Sequence, residues 1–422
     1  MKEDVLQFIW KMKRLPNRPI LSTAGAIVSV IDFGESNDNQ GPDFLKGRVR
    51  IDEIEFAGSI EIHVNGSDWL KHNHSKSKLY DNVILHVVYN NDVEIINRKK
   101  QPIPTIVLKD IIDPYVIVNY RSIMESKAEI PCQSMLDQVD SIFWNSAKDR
   151  LVVERLDRKS VEISKELSHN VFNWEETFYQ LLFKYAAMGV NSTEFFELAK
   201  SVPLSLINKL GDDAFSVEAI YFGQANLLEK ASVQYAKKLL REYKYQKERM
   251  RLKKNYFQLK FSRIRPANFP TVRLAQLSAL LVARPRLFHS VLEANSREEL
   301  KSLFTVSPKG YFSTHLTFNS RGENSIGPFG KSTVDMLILN LVVPVLYNYG
   351  KYTDNEHLLH KAMRIMESVE KENNRITRMW ENLNVQSKNG YDSQALLELY
   401  LNYCSDKKCL NCALSSKTLT AR

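Results

Sequence analysis

Two carboxylates and an imidazole stand close together near the start of the chain. Asp43 follows Pro42, and after a gap of 17 residues come Glu61, Ile62 and His63. The run Ile60-Glu61-Ile62-His63-Val64 reads as a strand, and strand side chains alternate between faces. Ile60, Ile62 and Val64 therefore share one face, and Glu61 and His63 the other. Asp43 opens an earlier strand, and if the two strands are neighbours, three metal-competent groups converge. Oxygen ligands so placed suit a hard cation such as Mg²⁺ or Mn²⁺. A third group beside the cation can orient or deprotonate an attacking water. The plainer expectation is that Glu61 and His63 form the wet, polar side of an antiparallel sheet.

More histidines follow: His72 and His74 in SDWLKHNH, and His86 in NVILHVVY. With His63 they could furnish zinc ligands, but the spacing matches no named zinc motif. His72 and His74 lie in a polar, loop-like segment and are expected to be solvated. His86, on an apolar strand, is expected to be a hydrogen-bonded core or groove residue, and Trp69 a packing residue.

Three of the four cysteines cluster near the end, Cys404, Cys409 and Cys412, in a C-x4-C-x2-C array. The fourth, Cys132, is distant in sequence. Four such thiols can hold zinc or an iron–sulfur cluster. Lys407 and Lys408, inside the array, would favour thiolates. The alternative is a set of ordinary free thiols, with Cys132 packed as a small apolar residue.

From Lys237 to Arg273 the chain carries thirteen Lys or Arg and two acids. Lys237, Lys238, Arg241, Lys244, Lys247, Arg249, Arg251, Lys253, Lys254, Arg263 and Arg265 are candidate phosphate contacts, with Tyr243, Tyr245, Tyr256 and Phe257 interleaved. Such a segment attracts a nucleic-acid backbone, and the alternative is a solvated helix face. The stretch SIGPFGKST, from Ser325, ends like a phosphate-binding loop, but Ser325 stands where the first glycine belongs and no strand precedes it. It reads instead as a loop leading into a helix capped by Ser332 or Thr333.

The elements that must position these groups fall into two kinds. Glu3 to Leu15 has helical periodicity. Short β-rich runs follow at 26–33, 47–51, 54–64, 82–89 and 104–108. From about residue 140 the periodicity is helical to the end, starting with a long amphipathic helix from Phe143 and including a helix at 191–202 with an Asn or Ser cap. The expected fold is α+β: a small mixed α/β domain over 1–125, then a mostly helical domain over 126–422 carrying the cysteine array. The chain has 422 residues and a formal net charge of +9, which favours a polyanionic partner. No uninterrupted apolar run reaches the ~18 residues of a membrane span, and the N-terminus does not read as a secretory leader, so a cytoplasmic protein is expected.

Pro42-Asp43, the gap, and Glu61-Ile62-His63 on a strand resemble the PD-(D/E)XK nuclease signature, and the order helix, strand, strand, strand, helix, strand fits a restriction-endonuclease-like domain. The resemblance implies Mg²⁺ or Mn²⁺ on Asp43 and Glu61. His63 stands where lysine is usual and would position water. Some nucleases of that class also carry an iron–sulfur cluster on one remote and three clustered cysteines, a layout like Cys132 with Cys404, Cys409 and Cys412, though not in spacing. Near its full length the chain also resembles an uncharacterised bacterial domain-of-unknown-function family. The residues that carry this are GPDF at 41–44, EIHVNGSDWLKHNH at 61–74, YDNVILHVVY at 80–89, IPC at 130–132, YNYGKYT at 347–353, and DSQALLELYLNYC with KKCLNCA near the end. That family implies no activity. The expected function is a metal-dependent nuclease acting on DNA. The alternatives are a non-catalytic nucleic-acid-binding or scaffold protein, which His63 in place of lysine favours, and a zinc-dependent hydrolase using His63, His72 and His74.

Overall fold

A computed structural model describes residues 2–421 except Pro16, Asn17, Asp38, Lys230, Ala231, Lys254, Tyr256, Phe257 and Asn324. The chain divides into two compact units, residues 1–147 with 399–422, and residues 148–398. The division thus differs from a boundary at residue 125, because the C-terminal segment returns to the first unit. Polar anchors hold it there. Asn119 donates to the carbonyls of Leu419 and Ala421 at 3.1 and 2.7 Å, and the Lys407 ammonium donates to those of Met124 and Ser126, both at 2.7 Å. Such long-range side-chain bonds leave no periodic trace in sequence.

The first unit is built on a seven-stranded mixed sheet. Its strands are β1 (Ile20–Leu21), β2 (Ile27–Asp32), β3 (Glu35–Ser36), β4 (Phe44–Ile51), β5 (Ile54–Asn65), β6 (Val83–Asn90) and β7 (Thr105–Val107). The order is β1-β2-β4-β5-β6-β7, with β3 also on β4. β2, β4 and β5 are antiparallel neighbours, whereas β5, β6 and β7 run parallel. Each expected run overlaps an observed strand, and within this sheet the two-residue β1 and β3 lack a sequence signal. Helix α1 (Glu3–Lys11) buries Val5, Leu6, Phe8, Ile9 and Trp10. Glu3 and Asp4 at its start and Lys11 at its end suit the helix dipole. It stops short of Leu15 because Lys13 turns into the left-handed region at φ 52°. α1 and the short α2 (Asp68–Lys71) both pack against β5.

β4 carries an irregularity. Phe44 faces Ile60 and Gly47 faces Gly58, so one extra residue is accommodated, with Lys46 at φ 59°. Such a bulge re-aims the end of a strand. A Cβ at Gly47 beside it would lie 2.5 Å from Ile60 Cδ1, so the buried Ile60 side chain would have to shift. The result sets Asp43 opposite Glu61 and Ile62.

The second unit is mostly helical, but it also carries an antiparallel hairpin of His315–Thr317 and Ser320–Arg321, so a short strand does precede the stretch from Ser325, where the sequence showed none. The cap expected for the helix Ser192–Ser201 is not made by a side chain: Asn191 instead accepts from and donates to the backbone of Lys260, both at 2.9 Å. The stretch Lys331–Tyr352 is one helix of 22 residues, long and apolar enough to cross a membrane by length and composition, but 78% of its most apolar window is buried inside the protein. Pro344 interrupts its hydrogen bonding, and a wider π turn over Ile338–Val342 precedes it. The helix starts at Lys331 with Gly330 in the cap position, so Ser332 and Thr333 lie inside its first turn and not at its cap, and the Thr333 hydroxyl accepts a hydrogen bond from Arg273.

Candidate metal centre

β4 and β5 bring Asp43 and Glu61 together through the backbone. The Asp43 N–H donates to Glu61 Oε2 at 3.1 Å, and the Ile62 N–H donates to Asp43 Oδ2 at 2.9 Å. Gln7 of α1 donates to the other Asp43 oxygen at 2.8 Å. Glu61 and His63 are not the wet side of a sheet: they are 4% and 1% exposed. β5 is an inner strand, with β4 on one edge and parallel β6 on the other, and helices pack against it, so both faces are covered.

The segment after β5 folds over this face. Asp68 at the start of α2 accepts the Asn65 N–H at 2.9 Å. Trp69 is fully buried and donates to Ser75 Oγ at 2.9 Å, a packing residue as expected. Asn73 lies in the left-handed region at φ 60°, ψ 28°, a conformation asparagine tolerates. The turn it makes delivers the histidines on either side to His63. Donor atoms of His63, His72 and His74 all lie within 4.8 Å of one another. His72 is exposed, but His74 is buried, stacked on Tyr80 at 3.7 Å between centroids, which corrects the expectation of solvated side chains. A left-handed asparagine inside a polar stretch gives no hydropathy signal, so the sequence hid this turn.

Individual contacts resemble the edges of a coordination sphere. Glu61 Oε1 is 3.1 Å from His74 Nε2 and 3.5 Å from His63 Nε2. His63 Nε2 is 3.2 Å from His72 Nδ1. Metal–nitrogen bonds of ~2.0–2.1 Å place adjacent ligands roughly 3.0–3.4 Å apart. The buried His74 Nε2 has no hydrogen bond of acceptable geometry despite its closeness to Glu61. The other nitrogen of His63, Nδ1, is 2.8 Å from His86 Nε2, an outer contact of the kind that orients a ligating imidazole. His86 is thus the hydrogen-bonded core residue expected of it.

Burial governs the charges. It raises Glu61 to about 8 against the Asp43 N–H bond that lowers it. It raises Asp43 to about 7, with Glu61 adding repulsion and the bonds from Ile62 and Gln7 opposing. Glu3 on α1, which periodicity marks only as a helix start, is raised to about 8 by burial and then by Asp43 and Glu61. Burial, then the neighbouring histidines, lowers His63 to about 3. The close histidine–carboxyl contacts therefore join neutral imidazoles to an acid and are not ion pairs. His63 and His74 beside the carboxyls, with His72 at the exposed edge, are a ligand set in form, with nitrogen donors next to the oxygen pair that sequence spacing singled out.

The four cysteines also gather in the first unit, as thiols. Cys132 and Cys404 are buried. Burial first, then the thiols of Cys412 and Cys409, lifts Cys132 to about 12, and Cys404 rises further from burial and all three neighbours. Lys407 lowers Cys409, yet burial outweighs it and the thiol is raised. Lys408 turns to Asp406 at 2.7 Å instead. Lys407 thus acts on Cys409 in the direction the sequence implied, but burial outweighs it.

The basic segment lies in the second unit. Its helix, Gln234–Met250, exposes Lys237, Lys238, Arg241, Lys244 and Arg249, while Lys247 is half-buried over the Tyr243 ring. Arg251, Lys253, Arg263 and Arg265 beyond it are exposed. Tyr243 is a packing residue, its ring against Gly223 where a Cβ would clash, and its hydroxyl donates to Gln224 at 2.9 Å. Tyr245 is exposed. Lys254, Tyr256 and Phe257 lie outside the described residues.

Residues 3–375 match the family model described as a protein of unknown function, DUF2851, and the chain belongs to that family. No curated protein and no solved structure matches it.

Proposed function

We propose that the chain is a metal-dependent nuclease of PD-(D/E)XK type acting on DNA, with its metal centre at Asp43, Glu61 and the histidines around them. The observation that carries this reading is the reciprocal pairing of Asp43 and Glu61 across β4 and β5, with Glu61 Oε1 turned to His74 and His63. The order α1, an antiparallel β2-β4-β5 and a parallel β6 supports a restriction-endonuclease-like domain. A divalent cation would supply charge stabilisation for a phosphodiester and acidify water. Asp43 and Glu61 would hold it with their oxygens. Gln7 and the Ile62 N–H keep the Asp43 carboxyl aimed, and His86 keeps His63 aimed. The exposed lysines and arginines of Gln234–Met250 support an anionic polymer as substrate.

A second reading shares Glu61. His63, His72 and His74 with Glu61 give three nitrogens and an oxygen, a set that suits Zn²⁺ or Mn²⁺ better than Mg²⁺. In that reading His63 is a ligand, which accounts for histidine in the place of lysine. The four cysteines are proposed as a separate zinc or iron–sulfur site.

The test is cleavage of plasmid, linear and single-stranded DNA with Mg²⁺, Mn²⁺ or Zn²⁺, beside Glu61→Gln. Cutting that the variant abolishes supports the reading. Binding of DNA by both proteins without cutting under any metal overturns it in favour of a non-catalytic binding protein.

A further inference from the structure

The second unit holds a cavity of about 700 Å³, within the range of small-ligand sites. Asn268, Gln276, Arg321, Glu323, Ser332 and Thr333 line it, together with Arg273. Arg273 is only 3% exposed. Its guanidinium donates to Gln276 Oε1 at 2.8 Å, Asn268 Oδ1 at 2.6 Å, Thr333 Oγ1 at 3.2 Å and Met188 Sδ at 3.0 Å. All four acceptors are neutral, and the buried Nε has no partner.

Two other guanidiniums of the same unit, the buried Arg155 and the half-buried Arg297, are treated differently. Arg155 faces Glu398 at 3.4 Å, and Arg297 pairs with Asp335 at 2.9 Å. Among the described residues, Arg273 has no such carboxylate. A buried charge without a counter-charge is costly. Burial alone draws its pKa down to about 10, with no acid opposing the shift. Arg321 and Glu323, both exposed on the loop over the cavity, bring opposite charges, so the uncompensated charge is that of Arg273.

Beside Arg273, the loop holding Gly327 and Gly330 leaves open space in the cavity. A Cβ placed at Gly327 or Gly330 would meet nothing within 4 Å. Gln276 Nε2 donates to the carbonyls of Gly327 and Pro328 at 3.1 and 3.0 Å, which braces that loop and turns Oε1 toward Arg273. At the start of the helix Lys331–Tyr352 the Thr333 and Val334 N–H groups bond the Gly330 carbonyl, and Ser332, ahead of them, lines the cavity at the positive end of the helix. Lys331 does not line the cavity and pairs instead with Glu370 at 2.5 Å.

We propose that this cavity binds a phosphate-bearing ligand of nucleotide size, with Arg273 as the counter-charge to the phosphate. The site is independent of the metal centre and of the nuclease reading. A mononucleotide and the 5′-phosphate of a nucleic-acid end offer the same chemistry.

Calorimetric titration of the full chain tests this with three probes: inorganic phosphate, adenosine monophosphate, and a short oligonucleotide with or without a 5′-phosphate. Binding of the monophosphate, or of the oligonucleotide only when phosphorylated, identifies the source. Arg273→Gln should weaken it at least about tenfold, the scale of a charged hydrogen bond. Gly327→Val fills the cavity where no atom opposes it and should weaken it similarly in a chain with parental melting temperature. No binding of any probe by the parent overturns the proposal, as does binding undiminished in Gly327→Val.

Discussion

Asp43 and Glu61 each hold the other's strand: the Asp43 N–H bonds Glu61 Oε2 at 3.1 Å, and Asp43 Oδ2 accepts the N–H of Ile62 at 2.9 Å. The two acids are thereby fixed as a rigid pair, and burial with mutual repulsion favours their neutral forms without a cation. Asp43→Asn keeps an acceptor for Ile62, gives up the one Gln7 uses, and removes one acid, so relief of the buried repulsion offsets one lost bond. We expect its metal-free melting temperature to equal or exceed the parent's, while metal-supported cleavage falls by more than about 100-fold, the order of losing a positioned electrostatic group. Melting curves without metal and cleavage rates with Mn²⁺ check both halves. Parental cleavage rates would remove Asp43 from the centre.

His72 is the exposed member of the histidine trio, so its loss isolates ligation from folding. His72→Ala should leave metal-free stability within about 0.5 kcal/mol, as for an ordinary surface change. In the parent, Mn²⁺ or Zn²⁺ at 100 times its Kd should add about 2.7 kcal/mol. The variant should lose most of that gain, which denaturant titration with and without metal measures. An equal gain in both proteins would place the metal elsewhere.

The cysteines predict a second, separable metal. Cys404 and Cys132 are buried among thiols that raise one another, so one partner's removal should release whatever cation the four hold. Elemental analysis of anaerobically purified protein should find iron or zinc that disappears in Cys404→Ser and persists in His72→Ala. Loss of the same metal in both variants would mean a single site, and full retention in Cys404→Ser would reduce the cysteines to core residues.

Strand positions were readable because β-rich runs bounded by Gly, Asn and Pro reflect local chemistry, and five such runs match β2, β4, β5, β6 and β7. The pairing of Asp43 with Glu61 was readable as a spacing. Three things were not. Strand alternation suggested a wet face for Glu61 and His63, but alternation cannot report that helices cover an inner strand. The approach of His72 and His74 depends on one left-handed residue, Asn73. The cation at Arg273 looked like the last of a basic run until its burial separated it from its exposed neighbours.

Glu218 gives the pH prediction. Burial lifts its carboxyl from 4.5 to about 8, only partly opposed by the Tyr235 hydroxyl at 3.3 Å. An acid with a raised folded pKa keeps its proton in the fold after the unfolded chain has lost it. Its contribution is therefore fully present below about pH 4.5 and declines as pH rises toward about 8. Glu218→Gln, neutral throughout, should melt above the parent at pH 8, with the difference shrinking as pH falls to about 5. Calorimetric melting across that window reads it out. A difference independent of pH would show that Glu218 is ionised in the fold.

The most direct measurement is a Mn²⁺ titration of the full chain beside Glu61→Gln, followed by calorimetry. Glu61 is the residue both donor sets share, through Oε2 toward Asp43 and Oε1 toward His63 and His74. The account predicts stoichiometric binding by the parent and affinity at least about tenfold weaker in the variant, with both chains folded. Equal Mn²⁺ affinity in the two proteins would contradict it, and Glu61 would then be a buried acid beside the Asp43 backbone and the two histidines with no part in holding a cation.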